Sequence, residues 1–312
     1  MSRKHARAAG ADAFEAHYAA MLGARWPTLR AALLAPTAHA VRLNPRHPDL
    51  RTRLPAGSAA IPGLPSTFTL PEPTDAFGEG EAYFLDPASV RVAALLDVAA
   101  GEDVLDLCAA PGGKSLVLAD TLGLAGGDDP EAGTLHANEL SPARRARLQR
   151  VLDGWLGGDA DAAGARVFGH DGARWGLHRP ASYDRVLVDA PCSSERHVLQ
   201  DAAALAQWTP ARPRQLAQRQ VALLCAAVDS CRPGGVVVYA TCALDEGEND
   251  GVVAKVLRKR RGVVELAPPL PMGDVRLSGA EATDCGWRWL PDAAGEGPIY
   301  VARLRVVAAP TR

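Results

Sequence analysis

Two short segments present a thiol where a thiol can react. Asp189-Ala-Pro-Cys192-Ser-Ser and Tyr239-Ala-Thr-Cys242-Ala-Leu each close an apolar run, Asp184–Asp189 and Gly235–Thr241, that reads as a strand. A thiolate is a strong carbon nucleophile, so a cysteine just past a strand end suits covalent catalysis. Asp189 adds a carboxylate that can hold a ring nitrogen and an amino group and favour charge building there. Cys225 and Cys231 lie on a helical pattern and read as small buried hydrophobes, and Cys108 as packing with its backbone near a ligand. The six cysteines include no C-x-x-C pair and no histidine at zinc-ligand spacing, so neither a disulfide framework nor a metal site is expected.

The elements that must position these residues alternate. Val104–Leu107, Thr134–Ala137 and Ala165–Phe168 join the two runs above as strands, and Ser115–Gly123, Pro142–Leu156 and Pro213–Cys231 read as helices. Alternation predicts an α/β, doubly wound, Rossmann-like fold whose ligands sit beyond the carboxyl ends of a mainly parallel sheet. After the first strand, the turn Cys108-Ala109-Ala110-Pro111-Gly112-Gly113-Lys114 leads into a helix. Its two glycines let the backbone approach a ligand. It is not a P-loop, which needs glycine where Cys108 stands, and G-x-G-x-x-G is absent. Glu139 follows the second strand as an acceptor for ribose hydroxyls, Asp171-Gly172 the third as a partner for an adenine amino group, and Asp189 the fourth. Binding of S-adenosylmethionine uses all four, so a methyltransferase fold is expected. Cys192 stands where amino-group methyltransferases commonly carry an aromatic residue after Pro-Pro, which indicates another reaction. Carbon 5 of cytosine, too poor a nucleophile alone, becomes reactive when a thiolate adds at carbon 6.

Before this unit, Phe14, Tyr18, Met21-Leu22, Trp26, Leu29 and Leu33 approximate helical spacing, with Pro27 able to open a second helix. Pro36–Gly80 is dense in Pro, Gly, Ser and Thr and reads as a linker draped over the domain behind it. The expected division is a helical extension with linker at 1–80 and a catalytic domain at 81–312. No apolar run has the length of a membrane span, and the basic start lacks the apolar stretch of a secretory signal. With Asp12 and Glu15 arriving early, the cytoplasm is expected, the mitochondrial matrix being the alternative. A formal charge of −2 argues against a general nucleic-acid binder. Affinity for RNA must be local, at Arg144-Arg145-Ala-Arg147 with Arg150, at Arg258–Arg261 and in Arg42–Arg53, or borrowed from a partner protein or a folded ribosomal particle.

Asp106-Leu-Cys-Ala-Ala-Pro-Gly-Gly-Lys114, Asp189-Ala-Pro-Cys192 and Thr241-Cys242 with Glu248-Asn249 resemble the signature blocks of the Nop/Sun family of RNA cytosine-5 methyltransferases. Phe14–Leu34, Tyr83–Ser89, Asn138–Arg144 and Ser194–His197 look like its mitochondrial ribosomal RNA branch. The resemblance implies attack by Cys242 and enzyme release assisted by Cys192. It also implies cofactor contacts at Gly112, Gly113, Lys114, Glu139, Arg144, Asp171, Gly172 and Asp189, with Lys114 and Asp189 near the target base. The expected substrate is small-subunit ribosomal RNA. A transfer RNA cytosine-5 methyltransferase would share every site residue. An assembly factor with dispensable methylation and a DNA enzyme attacking through the Pro-Cys thiol are the remaining alternatives.

Overall fold

The computed structural model describes residues 3–36, 40–124 and 132–309. Parts of the basic start and of the expected linker lie outside them. Helices α1 (Arg3–Leu22) and α2 (Trp26–Leu34) meet at a short turn, with Pro27 in the first turn of α2, where its missing N–H costs nothing. Their apolar face is buried: Phe14, Tyr18, Trp26, Leu29 and Leu33 pack with Val198, Leu199, Trp208 and Leu244 of the main unit.

The stretch expected as linker holds three strands of a small antiparallel sheet, and the fourth follows just past its expected end. Strands β1 (Ala40–Leu43), β2 (Ala59–Ala60), β3 (Thr67–Thr69) and β4 (Ala82–Phe84) run in the order β2-β3-β1-β4. Pro and Gly oppose regular α-helix here, and a 3₁₀ turn over Pro48–Arg53 and short strands fit between them. Val41, Leu43, Leu50, Phe68 and Leu70 form its own apolar cluster. Arg42, on β1, reaches out of this sheet. Its Nη2 donates to Asp120 Oδ2 at 2.5 Å and its Nη1 to the Pro65 carbonyl at 2.7 Å, while Asp120 Oδ1 accepts from Trp155 Nε1 at 2.8 Å.

The main unit continues with α3 (Pro87–Ala94), β5 (Asp103–Asp106), α4 (Gly113–Thr121), β6 (Thr134–Asn138), α5 (Pro142–Leu156), β7 (Ala165–Phe168), α6 (Trp175–His178) and β8 (Tyr183–Asp189). Then come α7 (Glu195–Gln200), α8 (Ala202–Ala206), α9 (Ala211–Ser230), β9 (Cys231–Thr241), α10 (Asp250–Lys259), β10 (Val264–Leu266), β11 (Glu281–Ala282), β12 (Trp287–Trp289), α11 (Pro291–Ala294) and β13 (Ile299–Val306). Strands β7-β6-β5-β8-β9 are parallel, and the chain order reverses between β5 and β8. That switch point opens the crevice where such sheets bind ligands. The five strands read from the sequence are all present, as are the three helices, although Cys231 opens β9 rather than closing α9. The antiparallel edge, β13 against β9 with β12, β11 and β10 beyond it, is an addition to the expected sheet. Arg303 and Arg305 interrupt the apolar run of β13, so periodicity alone does not mark a strand that is buried by its place inside the sheet.

Arg42 and Asp120 form a buried ion pair, and removing one partner leaves the other charge uncompensated. Arg42→Ala is expected to lower stability by about 3–5 kcal/mol, read by denaturant unfolding followed at Trp155. A loss below about 1 kcal/mol would show that the pair does not tie the small sheet to the main one.

Candidate active site

Parallel pairing of β8 with β9 sets Asp189 opposite Ala240. The chains leaving the two strands therefore emerge side by side, three residues before Cys192 and two before Cys242. The thiols meet at Sγ···Sγ 3.1 Å, and Ser194 Oγ lies 3.3 Å from the Cys242 sulfur and 3.5 Å from that of Cys192. Ser194 holds a left-handed backbone, φ 55°, an uncommon conformation for a side-chain-bearing residue that its neighbours must enforce. The Cys192 thiol, hydrogen-bonded to Cys242, rises well above its ordinary pKa, while the same bond, with Ser194, lowers Cys242 against the effect of burial. The two thiols titrate as one hydrogen-bonded pair, in which loss of one proton is favoured over loss of both.

Lys114, on the first turn of α4, reaches across the switch point, with Nζ 2.8 Å from Asp189 Oδ2 and 3.4 Å from Ser89 Oγ. Burial works against its charge, but Asp189, with Asp106 and Cys242, offsets this and raises its pKa. Lys114, Asp189, Ser194 and Cys242 line a cavity of about 420 Å³ together with Asp86, Ser89, Arg196, His197, Gln200 and Gly297–Ile299. The sequence assigns no role to those latter residues. Tyr83–Ser89 and Ser194–His197 stand out there only by resemblance, and Gly297–Ile299 carries no signal.

The turn expected for the cofactor lies across the switch point. Gly112 caps α4 at φ 118°, and a Cβ on Gly113 would meet the Tyr83 ring at 2.8 Å, so both positions need glycine. Cys108, Ala109, Ala110 and Pro111 form the turn before them, and burial raises the Cys108 thiol far above its usual range, consistent with packing. Glu139, buried after β6, accepts from Ser141 N at 2.8 Å, and Arg144 ties it to the turn, with Nη2 donating to Ala110 O at 2.6 Å and Nη1 3.5 Å from Glu139 Oε2. Asp171 sits after β7 with Gly172, and its Oδ1 is held by Arg219, a partner the sequence does not suggest. Backbone N–H groups at a helix start, a carboxylate at the next strand and another at the third make a donor and acceptor set that fits an adenosine-bearing cofactor.

Behind the thiols runs a buried polar chain. Ser193 Oγ contacts both Glu195 and Glu248, Ser193 N donates to Glu248 Oε2 at 3.0 Å, and Gln220 Nε2 donates to Glu248 Oε2 at 2.7 Å and to Pro191 O at 2.9 Å. On the other loop, Thr241 Oγ1 donates to Asn249 Oδ1 at 2.6 Å, and Asn249 Nδ2 donates to Ala243 O at 3.0 Å. These bonds pin both turns, a task the sequence shows only as Glu248-Asn249 downstream of Cys242.

A switch-point crevice with a glycine turn, an acidic residue after each of the next strands and an antiparallel strand beside β9 define a Rossmann-like methyltransferase. The chain belongs to the 16S rRNA methyltransferase RsmB/F family, whose sequence pattern matches residues 93–305. It is 40% identical to the 5-cytosine rRNA methyltransferase NSUN4 of Xenopus laevis over 187 residues, 59% of this chain and 44% of that protein. It is also 40% identical to the mitochondrial tRNA (cytosine(34)-C(5))-methyltransferase of Danio rerio over 183 residues, 58% of this chain and 47% of that protein. The chain thus spans less than half the length of these two relatives. Among solved structures, NSun6 from Pyrococcus horikoshii with SFG shares the fold, with a TM-score of 0.71 at 19% identity, covering 97% of both chains.

Burial pushes the Glu248 carboxyl up to about 7, with Ser193 opposing and Glu195 adding to the rise. Burial likewise pushes Asp106 up to about 7, with the Ser115 hydroxyl opposing. Carboxyls raised on folding stabilise fully below their unfolded values, and that contribution is lost as pH rises through the folded ones. The melting temperature is therefore expected to fall between pH 6 and pH 8, and to fall less in Glu248→Gln. Equal falls in both proteins would show that Glu248 does not hold a proton in the fold.

Proposed function

We propose that this chain is an S-adenosylmethionine-dependent RNA cytosine-C5 methyltransferase with Cys242 as nucleophile. One observation carries the assignment: among the described residues Cys242 lines the cavity beside Lys114 and Asp189, while Cys192 stands behind it at 3.1 Å. A cytosine unstacked from its RNA enters this cavity. The Cys242 thiolate adds to carbon 6, and the electron pair moves toward carbon 5. Asp189, held by Lys114, would accept from the exocyclic amino group, while the Lys114 cation favours the negative charge that develops on the ring. The cofactor supplies an electrophilic methyl group, and Gly112, Gly113, Glu139, Arg144, Asp171 and Gly172 are the residues that would hold it. Carbon 5 takes the methyl, its proton passes to solvent water, and the freed electron pair re-forms the carbon 5–carbon 6 double bond as the carbon 6–sulfur bond breaks and returns the Cys242 thiolate. Cys192, within hydrogen-bond reach of that sulfur, assists the expulsion.

The proposed substrate is small-subunit ribosomal RNA. Membership of the RsmB/F family supports it, and so does the charge of −2, which suits a substrate that brings its own docking surface. Equal identity to a ribosomal and a transfer RNA enzyme does not choose between them. Several basic residues are already engaged: Arg145 donates to the Glu139 carbonyl at 3.2 Å and Arg260 pairs with Asp229 at 2.7 Å. A partner protein or the folded subunit supplies the remaining affinity. The proposed catalytic unit is residues 81–312 and the extension 1–80, the two sharing the small sheet through the pairing of β4 with β1.

Cys242→Ala is expected to abolish methyl transfer and any covalent RNA adduct, whereas Cys192→Ala forms the bond and releases product poorly, leaving a denaturant-resistant complex on a gel. An adduct in Cys242→Ala and none in Cys192→Ala would move the nucleophile to the Pro-Cys thiol. Radiolabelled methyl transfer is expected to favour small ribosomal subunits over purified transfer RNA. Transfer RNA that is methylated equally or better would overturn the substrate assignment.

A further inference from the structure

The N-terminal helix touches the catalytic loops at two polar points that packing alone does not require. Tyr18, fully buried on α1, donates from its hydroxyl to Glu195 Oε1 at 2.5 Å. The other oxygen of Glu195 accepts from the backbone N–H of Leu244 at 2.9 Å, two residues past Cys242, and Oε1 also meets the hydroxyl of Ser193, next to Cys192. One residue earlier on the same helix, His17 Nε2 lies 2.8 Å from Asp245 Oδ2. Helix α1 therefore holds the loop after Cys242 at adjacent residues, 244 through Glu195 and 245 directly. The approach is close: a Cβ on Gly10 would collide with the Ala206 carbonyl oxygen, so α1 lies against α8 with no room to slide. Leu244 itself packs in the aromatic cluster of Phe14, Tyr18, Trp26 and Trp208. All of these α1 contacts come from residues that precede the segment 93–305 by which the family is matched.

We infer that Tyr18 is a positioning residue for the Cys242 thiol, acting through Glu195 and the Leu244 amide, with His17–Asp245 as a second tie. This rests on Cys242 being the nucleophile, as proposed above. The buried carboxylate of Glu195 fixes the Leu244 N–H only while its own orientation is fixed, and the Tyr18 hydroxyl is the donor that fixes it from outside the two cysteine loops. Without that donor the carboxylate can turn, the Leu244 amide loses its acceptor, and the loop carrying the Cys242 sulfur moves relative to Ser194 and the cavity. Displacement of the attacking sulfur costs rate rather than cofactor affinity.

Tyr18→Phe keeps the ring in its cluster and removes only the hydroxyl. Arg25→Ala is the control: Arg25 pairs with Asp292 at 2.7 Å and with Glu281 at 2.8 Å, so it ties the same N-terminal extension to the main unit without touching either cysteine loop. In a Cys192→Ala background, the rate of covalent adduct formation with cytosine-containing ribosomal RNA is expected to fall by about ten-fold or more in Tyr18→Phe. The S-adenosylmethionine Kd should stay unchanged, while Arg25→Ala, at an equal or larger loss of melting temperature, keeps the adduct rate. His17→Ala, at a less buried position, should lower the rate in the same direction and supports the inference if Tyr18→Phe does not fold. Alkylation of Cys242 by iodoacetamide, followed by peptide mass spectrometry in the otherwise unmodified chain without RNA, is expected to slow in Tyr18→Phe and His17→Ala only. Equal effects of Tyr18→Phe and Arg25→Ala, or no effect of Tyr18→Phe and His17→Ala on either rate, would overturn the positioning role. If the Cys192→Ala parent forms no adduct at all, the proposed function fails, and the alkylation rates still decide whether α1 positions the thiol.

Discussion

The register of β8 against β9 is the constraint on which the site depends. Asp189 pairs with Ala240, so two loops separated by some fifty residues in sequence leave the sheet together, and their cysteines meet at 3.1 Å. A shift of one residue would turn the flanking side chains to opposite faces and separate the sulfurs. Val186, Val188, Val237 and Tyr239 pack on one side of the sheet, while Leu187, Val238 and Ala240 pack on the other. Both faces are buried, so the register has no inexpensive alternative.

Close sulfurs alone would be inert if both kept their protons. Their mutual hydrogen bond couples them: it lowers the Cys242 pKa, as does Ser194, and with burial it raises that of Cys192, so one proton shared by the pair supports a thiolate on the other sulfur. Asp189 faces the same cavity but is balanced by Lys114 at 2.8 Å, which limits its repulsion of a thiolate. The acids behind the loops follow a different logic. Glu195 and Glu248 are buried, and hydroxyl and amide donors from Ser193, Tyr18 and Gln220 satisfy them. Such a chain is costly to leave half-satisfied, which makes it a rigid support for the turns it holds.

Much of this is legible in the sequence. The five parallel strands, the helices between them, the glycine turn and the acids at strand ends follow from short apolar runs separated by helical patterns, because side-chain period and the carboxyl-end rule are local or topological properties. Ala165–Phe168 and Pro142–Leu156 match in both bounds, since Pro142 at a helix start and Gly157 after its end leave little freedom. The segment 36–80 reads as linker because its strands of two to four residues lie below the length at which alternation can be seen. Strand β13 escapes notice for the opposite reason, having charged residues that only its neighbours make tolerable.

The sequence by itself determined the chemistry available: two thiols, a lysine, an aspartate and a glycine turn, each just past a strand, with the residue types that a covalent route requires. It also carried the helical pattern of Phe14, Tyr18 and Trp26. The tertiary structure alone decided which cysteine lines the cavity, that Arg219 holds Asp171, and that Tyr18 reaches Glu195 across 177 positions of chain. Those are long-range pairings between side chains whose local surroundings carry no mark of each other. Their hydrogen bonds exist only after the apolar faces of the sheet and of α1 have been buried, because burial is what removes water as the competing partner.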